Sequence, residues 1–96
     1  MQEYLTEIDI KTEVKNLYGF LEVISWEVDG KSEIMSIGLK QNLTYKELHT
    51  YGYIPENLTY KGLVRILNYF NDHKKEFADA MNELYGSNVW RHDIDE

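Results

Sequence analysis

The chain has 96 residues, 43% of them apolar and 14% aromatic, which is one domain's length with enough material for its own core. The absence of cysteine excludes disulfides, thiolate metal centres and cysteine nucleophiles, and no apolar run approaches the roughly 20 residues that span a bilayer. Seventeen acidic against ten basic residues leave a net charge of −7, which opposes phosphate backbones and favours either plain solubility or a basic protein partner.

The opening, MQEYLTEIDIK, has no basic start and no apolar block, so it does not read as a signal peptide, and a cytoplasmic protein is expected. Ile8–Val14 alternates, with Ile8, Ile10, Thr12 and Val14 on one side, the period of a half-buried first strand. A helical stripe through Ile10, Val14, Leu17 and Leu21 competes with it, but Gly19 interrupts that stripe.

Asp29-Gly30 is a two-residue hairpin signal, because a type I′ turn needs positive φ at both positions. Pairing about it sets Val28 opposite Lys31, Trp26 opposite Glu33, Ile24 opposite Met35, Glu22 opposite Ile37 and Phe20 opposite Leu39. The expected core face then carries Phe20, Ile24, Trp26, Val28, Met35, Ile37 and Leu39. Leu21, Val23 and Ile34 lie on the second face beside Ser25, Glu27, Ser32 and Ser36. That face reads as solvated or as a docking face.

The pentapeptide NLTYK occurs at residues 42–46 and again at 57–61. Thr44 and Thr59 each stand where a hydroxyl can cap a helix, Glu47 completes a capping box at the first site, and Leu43 and Leu58 sit at the staple position. The spacing predicts a short helix over 45–51 stopped by Gly52. A turn through Tyr53 and Pro55 leads to a long helix over 60–85, striped by Leu63, Leu67, Phe70, Phe77, Met81 and Leu84 and stopped by Gly86. Asn71-Asp72 marks a place where the long helix either breaks or runs on. The expected fold is α+β: a three-stranded antiparallel meander followed by a short and a long helix packed on one face, β-β-β-α-α, in one domain over 1–96. The acidic tail is placed at 91–96, and Trp90 is expected to fold back as an anchor.

His49, His73 and His92 have no partners at a strong ligand spacing, and no nucleophile elbow, phosphate loop or zinc-protease motif is present. No metal, cofactor or catalytic group is therefore expected. Tyr45, Tyr51, Tyr53 and Tyr60 cluster around the predicted helix–helix turn, and tyrosine is favoured at protein interfaces. With Trp90 and the acids Glu22, Glu27, Glu33, Asp72, Glu76, Asp79 and Glu83, they are the interaction candidates. The expected function is a small acidic, non-catalytic protein-binding domain. Its sharper form is an accessory inhibitor from a phage or mobile element that binds a basic, nucleic-acid-handling host protein. A homodimer through a sheet edge or the second sheet face is a further expectation. The alternative is a helix-turn-helix DNA-binding regulator using helices 45–51 and 60–85, with Lys61 and Arg65 on the second. An acidic chain with a long, proline-containing turn suits that plan poorly.

Overall fold

A computed structural model describes residues 8–92. Their elements run α1 (Ile10–Leu17), a 3-10 turn (Tyr18–Phe20), β1 (Leu21–Val28), β2 (Lys31–Leu39), α2 (Tyr45–Thr50), α3 (Tyr60–Asp72), α4 (Lys74–Tyr85) and β3 (Trp90–Arg91). The class is α+β, as expected, but the order differs, and the three-stranded sheet, β1-β2-β3, is mixed: β1 and β2 are antiparallel, β2 and β3 parallel.

The predicted strand over Ile8–Val14 is not formed: from Ile10 on the segment is helical, within α1. The helical stripe wins because it buries Val14 and Leu17 fully, whereas the alternating pattern places Thr12, exposed here, in the core. Gly19 lies past the helix end and does not interrupt it. The Asp9 carboxylate accepts from the Thr12 hydroxyl at 3.0 Å, and the Asp9 carbonyl accepts from the Glu13 N–H. α1 lies along α4, with Lys11 Nζ 2.8 Å from Glu83. Glu13 is buried on this helix. Loss of water raises its carboxyl pKa, the Asn16 hydrogen bond pulls it the other way, and the Asp9 charge adds a smaller upward push.

The hairpin turns at Asp29 (φ 53°) and Gly30 (φ 77°), and the register runs as expected from Val28↔Lys31 to Trp26↔Glu33. It then slips. Ser25 pairs with Ile34 and Ile24 with Ser36, leaving Met35 as the extra residue of a bulge. Because side chains alternate, one extra residue moves Ile37 and Leu39 to the other side of β2. There they join Leu21, Val23 and Ile34, and this becomes the core face. The expected core face is therefore inverted: Ile24, Trp26 and Met35 point outward, while Phe20 leaves the strand for the 3-10 turn.

Both copies of NLTYK start helices. The Thr44 hydroxyl accepts the Glu47 N–H at 3.1 Å and donates to the Glu47 carboxylate at 3.2 Å; the Thr59 hydroxyl accepts the Gly62 N–H at 2.9 Å. Leu48, Leu58 and Leu63 are buried around them, with Leu43 packed against the same core. Alanine at Thr44 or Thr59 should each lower unfolding free energy by about 1 kcal/mol, read as a shifted denaturant midpoint with an unchanged slope.

The predicted long helix is two helices. α3 ends at Asp72 and α4 begins at Lys74, with His73 between them at φ −130°, ψ 51°. The His73 ring stacks on Tyr69 at 3.9 Å, with Nδ1 3.0 Å from the Tyr69 carbonyl. Phe70 and Phe77 meet across the break at 5.0 Å, so the core is continuous although the helix is not. Gly86, at φ 64°, stops α4 as expected. The chain then returns to β2, where the Ser32 N–H donates to the Val89 carbonyl.

Candidate protein-binding surface

The four candidate tyrosines form two ring pairs flanking the α2–α3 connection. Tyr45 meets Tyr60 edge-on at 5.7 Å, and its hydroxyl donates to the Leu58 carbonyl at 2.7 Å, so the tyrosines of the two pentapeptides touch. Tyr51 lies 5.9 Å from Tyr53, which stacks on Phe20 at 5.2 Å. Tyr45 is half-buried, but Tyr51, Tyr53 and Tyr60 are 66%, 53% and 63% exposed. Ile54 and Leu58 anchor the connection in the core, leaving the rings outside.

The candidate acids do not form one plate. Glu22 and Glu27 are exposed on opposite faces of β1, since they stand five residues apart on a strand. Glu76, Asp79 and Glu83 follow one exposed stripe of α4, with Asp72 exposed at the end of α3. Two of these already face cations of the same chain: Asp79 is 3.5 Å from Lys75, and Glu83 is bridged to Lys11.

Glu33 is unavailable to a partner, being 1% exposed. Arg91 Nε donates to its Oε1 at 3.1 Å, and His92 Nδ1 lies 3.1 Å from its Oε2. That nitrogen is equally close to the Ile34 carbonyl, and no aligned hydrogen bond reaches Oε2 among the described residues. Trp90 is also turned inward. Packed against the core, it is held by Asn82, whose amide accepts the Trp90 N–H at 3.2 Å and donates to the Trp90 carbonyl at 2.9 Å. Residues 90–91 thus belong to the sheet, and the rest of the expected tail, from 93, lies outside the described residues.

Sequence reasoning missed the outward sheet face. Ile24, Trp26 and Met35 are 53%, 56% and 48% exposed on a sheet whose β1 edge has no neighbouring strand among the described residues. The only signal for it was the apolar alternation of β1 itself, and that fits either face.

Two open grooves meet at Gly19, Leu21, Val23 and Lys40. One, of about 780 Å³, runs past Phe20 and Glu22 to Leu43; the other, of about 270 Å³, runs to Tyr18, Met81 and Trp90. Their linings contain no histidine, no serine or threonine hydroxyl and no pair of carboxylates. Among the described residues no group of three histidine, aspartate or glutamate side chains is placed to hold a metal ion, and no helix is long and apolar enough to cross a membrane. Comparison with known proteins finds no matching family model, no matching curated protein and no matching solved structure.

Proposed function

We propose that this domain is a non-catalytic protein-binding module whose contact surface is the aromatic end formed by Tyr51, Tyr53 and Tyr60. The observation that carries the reading is their joint exposure on, and at the end of, a connection pinned to the core. Three large rings held outside, two of them in ring contacts with Tyr45 and Phe20, offer area at little entropic cost, and each brings a polar tip. The net charge of −7 favours a basic partner and speeds its approach. A basic, nucleic-acid-handling protein, met by an accessory protein of a phage or mobile element, is the sharper form of this reading.

The test is affinity capture from host lysate with wild type, a Tyr51→Ala/Tyr53→Ala variant and a Glu76→Lys/Asp79→Lys variant. Basic proteins should be retained by wild type, be released as salt rises, and be lost or depleted with both variants. Equal retention by a folded tyrosine variant overturns the reading. Retardation of short duplex DNA at about 0.15 M salt, where non-specific electrostatic binding is already weak, favours the helix-turn-helix regulator instead.

A further inference from the structure

The outward sheet face, with Ile24, Trp26 and Met35 exposed, carries none of the tyrosines of the proposed contact surface. We propose that a second copy of this chain covers it, the two sheets stacked face to face about a two-fold axis that crosses the strands. Glu22, Ile24, Trp26 and Val28 alternate onto this face, and the Val28↔Lys31 and Trp26↔Glu33 pairings put Lys31 and Glu33 there too, the latter buried and ion-paired with Arg91. Ile24, Trp26 and Met35 make its centre, and they are exposed.

The charges choose the occupant. Glu22 stands at one end of the face and Lys31 at the other, roughly 20 Å apart at the usual strand rise. A two-fold axis lying between the sheets, perpendicular to β1 and level with Ser25, reverses strand direction. Ile24 then lies over the second copy's Trp26, Met35 over the second copy's Met35, and each Glu22 over the Val28–Lys31 end. Symmetry makes the Ile24–Trp26 and Glu22–Lys31 contacts each occur twice. An axis along the strands instead sets Trp26 over Glu33 and Glu22 over Gly38, and gains neither. A strongly basic partner fits this face less well, because its ends carry one charge of each sign.

Lys31 Nζ already donates to the Asn88 carbonyl at 2.7 Å, but an ammonium has three donors and two remain for a carboxylate. Strand rise and spacing give the face roughly 400 Å², about half of what one partner contributes to a standard interface. The dimer is therefore weak and reversible.

Sedimentation velocity of the full chain from about 5 to 500 µM, in about 0.15 M salt to screen the net charges, is the measurement. Wild type should shift from monomer toward dimer with concentration. Trp26→Ser should weaken association at least about tenfold, and Lys31→Glu several-fold. The swap Glu22→Lys/Lys31→Glu should recover most of the loss, which also controls for the Asn88 contact. Circular dichroism should show all variants folded, since the substituted side chains are exposed. A monomer throughout the range, a Trp26→Ser protein that dimerises like wild type through the β1 edge, or a swap without recovery overturns the proposal. None of these outcomes bears on the tyrosine surface, whose variants leave this face intact.

Discussion

Replacing Arg91 by alanine should destabilise the fold by about 3 kcal/mol at pH 7 and by only about 1 kcal/mol at pH 5. Glu33 is buried between Trp26 on β1 and Arg91 on β3, and the guanidinium is its aligned ion-pair partner. Removing one member of a buried pair leaves a charge without compensation, which typically costs 3–5 kcal/mol. The loss has a ceiling, because the stranded carboxylate can take up a proton. Protonating a glutamate of ordinary pKa, about 4.3, at pH 7 costs roughly 3.7 kcal/mol, at 1.36 kcal/mol per pH unit. With its cation gone, the buried carboxylate of the folded variant favours the neutral form, so the folded chain binds more protons than the unfolded one and stability is regained as pH falls.

Urea unfolding of wild type and Arg91→Ala at pH 7 and pH 5 checks this. Equal losses at both pH values would sink the carboxylate account and leave only lost packing. A Glu33→Leu/Arg91→Leu double variant should be far less destabilised than the sum of its single changes, because no charge is left without a partner.

The features legible in the chain were those decided within four or five residues. The threonine caps, the Asp29-Gly30 turn and the stops at Gly52 and Gly86 each depend on neighbours in sequence, and each stands where its chemistry puts it. The tyrosine cluster was legible for the same reason: a short connection keeps its residues together whatever the rest does. The failures are long-range. Nothing in the alternation of Ile34-Met35-Ser36 marks Met35 as a bulge, yet that one residue decides which sheet face is buried. Two periods fitted Ile8–Val14, and α4, some sixty residues on, supplies the surface that makes it helical. Trp90–Arg91 is too short to announce a strand, and it exists because Asn82 and Glu33 hold it.

Asn71→Leu should cost about 3 kcal/mol and expose the Ile37 amide to exchange, although position 71 lies in a helix where leucine is the better former. The reason is where the side chain goes. Its Oδ1 accepts the Ile37 N–H at 2.9 Å, and its Nδ2 donates to the Ile37 carbonyl at 2.8 Å and to the Leu67 carbonyl at 2.7 Å. The amide thus completes β2 on the side where β3, paired only at Ser32 and Glu33, stops short. Leucine leaves both Ile37 groups without their partner in a part-buried site, at about 1–3 kcal/mol each. The Leu67 carbonyl suffers less, because α3 itself continues past it. Asn71→Asp is the sharper probe. It keeps the acceptor for the Ile37 N–H but turns a carboxylate onto two carbonyl oxygens, which favours its protonated form and raises its folded-state pKa. Its deficit should therefore shrink as pH falls toward the ordinary aspartate range, while that of Asn71→Leu stays constant. Asn68→Leu, three residues back on the exposed side of α3, serves as the control and should stay within about 0.5 kcal/mol of wild type. Native-state hydrogen exchange at Ile37, read beside urea unfolding at pH 4.5 and 7, separates the outcomes. Unchanged Ile37 protection in Asn71→Leu would show that β2 holds its place without this amide.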